Sequence, residues 1–479
     1  MSDALLACDV LVVGMGPAGL AAAIAARENG AEVVCLDLHP RAGGQYAMQP
    51  ASAESPFQDA PQVVAGRAAE ARCRALGVRL VNDAEVFWAE PGYTVYARQG
   101  EGALTIRATA VVAASGAMER PIPFKGWTLP GVMAAGAAQR LIKANGTPPG
   151  RKVVLAGSGP FLLAVADTFA KAGLGLSAYV ERRRPDPGFL GPFLHHPGRI
   201  GEALGLLRGL GRTRARRHFG HVVVEAMGES RVEAVRIAPV GADGMPVLDR
   251  AFRLNDVDTL CIGYGFQPVI DLTALLKARH DFDATLGGWH CVVDPQTQAT
   301  DIPGLFAAGE TTGLGGALPA RLSGRLAGLA AAEAAGRPVP AAQRMGEARA
   351  LTRARAFAAR LAALFPFPAD LADSLPRDEV VCRCEDVALS SIDAAIDDGA
   401  TDLFSVKMWT RAGMGPCQGR ICGSALARIV TSRCGGTPEA AGYNRPHMPL
   451  RPVPLSIVDR ALDLAADADE SAAKPGETA

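Results

Sequence analysis

The 479-residue chain predicts an α/β fold in which one parallel-sheet unit is interrupted by a second, followed by a small helical cysteine module. Three observations carry this expectation. A strand–glycine turn–helix pattern opens the chain. A second such pattern recurs at Arg151–Gly173. Four cysteines gather near the C-terminus, in CRCEDV and GPCQGRICG.

The run DVLVVG, ending at Gly14, is short and apolar, as a buried parallel strand should be. PAGLAAAIAARENG follows as a helix closed by Gly30, and AEVVCLD is the next strand. The turn between them reads G-M-G-P-A-G, with Gly14, Gly16, Pro17, Ala18 and Gly19. Glycines there permit the tight turn and let a pyrophosphate approach the helix N-terminus. Asp37 follows where a carboxylate meets an adenosine ribose, about 20 residues on. Together these features predict a Rossmann-like dinucleotide-binding unit.

Downstream, a strand runs into Ser115 and Gly116. The second pattern carries Gly157 and Gly159 in its turn, but Leu162 replaces a third glycine. Its next strand ends at Glu181, followed by Arg182, Arg183 and Arg184. Those arginines could meet a 2′-phosphate, which Glu181 would repel, or simply form a solvated loop. LFAAGE and a long helix then complete the outer unit. The expected division is residues 1–124 with 276–336 for the outer domain and 125–275 for the inserted one. A linker with a helix follows over 337–377, then the cysteine domain over 378–435. A Pro-rich extended tail over 436–479 is expected to end in disorder.

Lys+Arg and Asp+Glu balance at 49 each, which gives no sign of a nucleic-acid partner. The N-terminus lacks the basic region of a signal peptide, and glycines interrupt its apolar run. No transmembrane segment is expected. The expected location is the cytoplasm, where thiols stay reduced, which argues against disulfides.

The nested units, with GMGPAG and LFAAGE, resemble the two-dinucleotide-binding-domain flavoproteins. The resemblance implies FAD. It assigns Gly14, Gly16, Pro17, Ala18, Gly19 and Asp37 to the adenine half. Gly43, Gly44, Gln45, Gly309 and Glu310 go toward the flavin, and Ser115 and Gly116 join the cofactor-binding set. That family usually has Asp where this chain has Glu310. CRCEDV with TRAGMGPCQGRICG narrows the resemblance to the FAD-containing component of heteromeric dye-linked amine and opine dehydrogenases. This group includes the A subunits of octopine and nopaline oxidase, the B subunit of hydrogen cyanide synthase and the alpha subunit of D-hydroxyproline dehydrogenase. The cysteine module looks like a bacterioferritin-associated-ferredoxin-type domain.

The residues themselves allow several readings of Cys382, Cys384, Cys417 and Cys422. C-x-C is too tight for a typical zinc knuckle, and Gly-rich flanks let backbone N–H groups approach cluster sulfurs. A 2Fe–2S cluster is the favoured reading and structural zinc the alternative. A redox disulfide is disfavoured because RAGGQYAMQP, after the first turn, has no cysteine. Cys8, Cys35, Cys73, Cys261, Cys291 and Cys434 are expected to be buried small hydrophobes.

Gly157, Gly159, Glu181 and Arg182 are candidates for a second nucleotide, NAD(P) or ATP. His195 and His196 are read as surface or channel-lining. No catalytic residue is singled out as a substrate base. The preferred function is the FAD and 2Fe–2S subunit of an amine dehydrogenase. Its expected partners are a small ferredoxin-like subunit and an FAD-containing amine-oxidising subunit, with an interface FMN left open. The alternatives are a stand-alone NAD(P)H-dependent reductase and a scaffold with a zinc-stabilised docking module.

Overall fold

A computed structural model of the chain describes residues 3–186, 188, 191 and 197–473. His195, His196 and the chain end at 474–479 lie outside the described residues.

The first sheet is built on strand Ala4–Val13. It pairs in parallel with Val33–Leu36 on one side and Gly102–Ala113 on the other. Arg79–Val81 extends one edge in parallel. Gly102–Ala113 is long enough to serve two further neighbours. Its first half pairs antiparallel with Thr94–Gln99, and its end pairs in parallel with Leu305–Ala307. The late strand thus returns to the sheet that opened the chain. Helix Ala317–Ala334 follows it and lies against helix Pro17–Glu28. A Cβ on Gly324 would stand 2.0 Å from the Ala18 carbonyl oxygen, so only glycine permits this approach.

The second sheet is wholly parallel, in the order Arg216–Phe219, Ala178–Glu181, Val153–Gly157, Thr259–Gly263, Val132–Ala134. Val153–Gly157 and Thr259–Gly263 are buried at every position, as expected for strands covered on both faces. A three-stranded antiparallel sheet, His221–Met227, Ala234–Pro239 and Phe252–Asn255, packs beside it. Strands Ala117–Glu119 and Phe266–Pro268 pair antiparallel where the chain passes between the two sheets.

The linker forms helix Ala341–Leu364 and a 3₁₀ turn, Ala369–Ser374. The cysteine module is a hairpin, Val380–Cys382 with Val387–Ala388, and helices Leu389–Asp397, Leu403–Thr410 and Gly423–Cys434. One apolar core runs from Val154 and Val235 through Leu371 and Leu375 to Val381, Ile392 and Leu426. Trp127 Nε1 donates to the Val380 carbonyl at 2.6 Å, and Arg420 pairs with Asp271 at 2.9 Å. The module is therefore docked on the inserted unit.

The tail corrects an expectation. It is not extended throughout: Leu455–Ala473 is a helix. Ile457, Ala461 and Ala465 pack on Phe87, Tyr96 and Ala103 of the first sheet. The apolar spacing at i, i+4 and i+8 within SIVDRALDLAA supplies that face, which the preceding prolines obscure.

Candidate functional site

The first turn is closed on itself. Gly14 has φ +109°, and a Cβ there would lie 2.3 Å from the Ala114 carbonyl oxygen. That contact brings Ser115 and Gly116 beside the turn. Gly43 N–H donates to Met15 O at 2.8 Å, and a Cβ on Gly44 would lie 2.9 Å from Gly16 Cα. Gly309 lies against Ala18, and its N–H donates to Ser323 Oγ at 2.9 Å. The glycines named from the sequence thus converge on one helix N-terminus. No side chain caps that helix, and a Cβ on Gly16 would meet nothing within 4 Å. An uncapped N-terminus with open space before it fits a pyrophosphate.

Asp37 is buried. Its Oδ2 accepts from Met15 N–H at 2.5 Å, and its Oδ1 accepts from His39 N–H at 2.7 Å. The carboxylate therefore ties the second strand to the turn. Gln45 is exposed, with Nε2 3.5 Å from His39 Nε2. Glu310 accepts from Gly316 N–H at 2.6 Å and Gly315 N–H at 3.3 Å. It ties down the two glycines just ahead of helix Ala317–Ala334, while burial pushes its carboxyl above the usual range.

The second turn is arranged differently. Glu181 points back into it, accepting from Ser158 Oγ at 3.0 Å and from the N–H groups of Gly159 at 3.1 Å and Arg183 at 3.0 Å. Burial raises this carboxyl to about 7. Phe365 of the linker stands 3.9 Å from where a Cβ on Gly159 would be. Arg183 donates to the Leu364 carbonyl, and Arg182 bonds the Gly244 carbonyl at 2.9 Å and Asp370 at 3.4 Å. The solvated-loop reading of these two arginines is thereby corrected: they hold the linker over the turn.

The four module cysteines come together in one cluster, in which Cys382 neighbours Cys422, Cys384 neighbours Cys417, and each pair feels the other's charge. A hydrogen bond from Cys422, together with backbone N–H groups including Gly413, lowers the Cys382 thiol to about 6, while that of Cys422 is pushed up. Among the described residues, no three Cys, His, Asp or Glu side chains converge on one ion-sized point. Zinc holds four sulfurs at about 2.3 Å from a single centre. A binuclear centre takes two thiolates per iron, which four neighbouring thiols can supply. Of the remaining cysteines, Cys35, Cys73, Cys261 and Cys291 are buried. Cys8 is only part-buried, and Cys434 is exposed at the end of its helix, which corrects the expectation for those two.

Sequence reasoning missed two groups beside the second turn. Glu119 accepts from Gly136 N–H at 2.8 Å, and burial raises its carboxyl to about 7. Arg120 lies 3.6 Å over the Phe367 ring, lowered by burial to about 10. A charged pair following an apolar strand was the available signal, but its burial depends on a linker far along the chain.

The fold and its sites define an FAD flavoprotein of two nested nucleotide units with a 2Fe–2S module. The chain belongs to the pyridine nucleotide-disulphide oxidoreductase family, whose pattern matches residues 8–346. A BFD-like 2Fe–2S binding domain matches residues 380–432. The chain is 33% identical over 465 residues to the A subunit of opine oxidase from Rhizobium meliloti (strain 1021), covering 94% of this chain and 98% of that one. It is 31% identical over 470 residues to the HcnB subunit of hydrogen cyanide synthase from Pseudomonas aeruginosa, covering 93% and 97%. L-proline dehydrogenase from P. horikoshii shares the fold, with a TM-score of 0.69 at 20% identity, over 96% of this chain and 80% of that one. Among the described residues, no helix is long and apolar enough to cross a membrane.

Proposed function

We propose that this chain is the FAD and 2Fe–2S subunit of a heteromeric cytoplasmic dehydrogenase. Its substrate would be a secondary amine or amino acid of the opine, proline or hydroxyproline type, and its acceptor dye- or quinone-like. The observation that carries this reading is the gathering of four thiols in a module docked on a two-domain flavoprotein fold. When bound, FAD supplies two-electron chemistry and the cluster one-electron chemistry.

The chain's own residues hold and shield these groups. The N–H groups at the start of helix Pro17–Glu28 would hold the FAD pyrophosphate, with Gly43, Gly44, Ser115, Gly116 and Gly309 forming the cradle around that helix end. Asp37 orders the turn at the adenine end, and Glu310 orders the helix at the flavin end. Cys382, Cys384, Cys417 and Cys422 ligate the cluster. The domain division read from the sequence belongs to this proposal, with the tail helix added to the outer domain.

The names of the relatives, which are subunits of oxidases and synthases, support a partner that carries the amine site. A small ferredoxin-like subunit, together with an interface FMN, extends the same reading. Closure of the second turn by Glu181 and Phe365 weighs against the stand-alone NAD(P)H reductase. The tight C-x-C spacing of Cys382 and Cys384 weighs against the zinc scaffold, because zinc knuckles use wider spacings. The test is amine oxidation by separated and recombined subunits. This chain alone should show no turnover, and the recombined complex should restore it. Full turnover by this chain alone would end the proposal.

A further inference from the structure

The tail strap that precedes the last helix carries an amide with no partner. Asn444 Nδ2 is shut off from solvent and makes no hydrogen bond within the protein. Native folds rarely leave such a donor orphaned, since burial strips it of water without return. Its surroundings are specific. An ideal Cβ would lie 1.9 Å from this nitrogen at Gly419, 2.9 Å at Gly413 and 3.2 Å at Gly423. Three glycines thus open the space that the amide fills.

Those glycines belong to the cysteine loop. Gly413 N–H reaches Cys382 Sγ at 3.5 Å. Gly419 lies between Cys417 and Cys422, and Gly423 directly follows Cys422. The neighbouring side chains fix the amide in place. The Tyr443 ring lies tilted against Trp289, with centroids 4.9 Å apart. Gln418 Nε2 donates to the Pro449 carbonyl at 2.6 Å, and Arg420 donates to the Leu450 carbonyl at 2.8 Å. The strap is therefore fastened to the loop between Cys417 and Cys422.

A buried donor without a polypeptide acceptor calls for an acceptor supplied by what the loop holds. We propose that Asn444 donates an N–H···S hydrogen bond to the 2Fe–2S centre and raises its reduction potential. The sulfurs of such a centre, thiolate or bridging sulfide, would be brought beside the amide by Cys417 and Cys422, which flank Gly419. The reduced cluster carries one more negative charge, so a donor stabilises it more than the oxidised form. The inference rests on the four cysteines holding a 2Fe–2S cluster, as argued above.

The test compares the anaerobically purified holoprotein with its Asn444→Leu variant, which keeps side-chain volume and loses the donor. Iron and FAD per chain should stay as in the wild type. The cluster midpoint should shift negative, and the FAD midpoint should not move. Tyr443→Phe, which leaves the amide in place, should shift neither. An unmoved cluster midpoint in Asn444→Leu, with iron retained, would overturn the role of Asn444. So would an equal shift in Tyr443→Phe, because strap geometry would then be the cause. Should Asn444→Leu lose iron, pulsed EPR of the reduced wild type with ¹⁵N-asparagine decides. A ¹⁵N coupling to the cluster supports the bond, and its absence overturns it. Wild-type protein without a 2Fe–2S signal would instead overturn the cluster reading itself.

Discussion

Cys384 is exposed while Cys382 and Cys422 are buried, so the thiols meet water unequally. Under the proposed cluster ligation, replacing either kind with serine would remove one of four ligands. Cys384→Ser and Cys422→Ser should each lose most bound iron and keep FAD, measured by iron assay and visible absorption. Cys434→Ser, outside the pairs, should change neither. A second residue-scale prediction concerns pH. Glu119 and Glu181 rise from 4.5 to about 7, mainly through burial. The fold therefore favours their protonated forms. The stability they contribute is present below about pH 4.5 and lost as pH rises through about 7, by at most about 3 kcal/mol per group. Glu119→Gln should flatten that part of the curve in denaturant unfolding from pH 4.5 to 7.5. An unchanged slope would contradict the assignment.

At the scale of elements, the linker and the tail behave as fasteners. The segment after helix Ala341–Leu364 lays Phe365 on the second glycine turn and Phe367 under Arg120. Binding of NADH by the unaltered protein should be undetectable by calorimetry. Phe365→Ala together with Asp370→Ala should raise it if the turn retains any nucleotide competence. Tight NADH binding by the unaltered protein would contradict a closed turn. The tail helix buries Ile457 against the first sheet, so Ile457→Ala should cost about 2–4 kcal/mol in chemical unfolding.

These elements also mark how far the sequence is legible. The first turn is legible because strand, glycines, helix and acid must sit at fixed spacing to meet a pyrophosphate. The four cysteines are legible because few chemistries tolerate C-x-C with C-x4-C. Local pattern does not reveal that Glu181 turns inward, because its partners are main-chain N–H groups. Nor does it reveal that Phe365 covers Gly159 or that Asn444 enters the cysteine loop, because those contacts join distant segments. Prolines ahead of Leu455 suggest an extended tail, and packing on Phe87 and Tyr96 makes it helical instead.

Over the whole molecule, one apolar core joins the inserted unit, the linker and the cysteine module. The flavin-type turn and the cysteine loop are held in one chain, and the strap at Asn444 ties that loop to the outer sheet through Leu450 and Phe87. This arrangement suits a fixed spacing between two redox groups, as the proposed electron relay requires. The central claim is met most directly by anaerobic stopped-flow absorbance on the isolated chain and on the recombined complex, with a secondary amine as reductant. The account predicts no flavin bleaching in the isolated chain, and bleaching followed by cluster reduction in the complex. Full-rate bleaching of the isolated chain by the amine would contradict it.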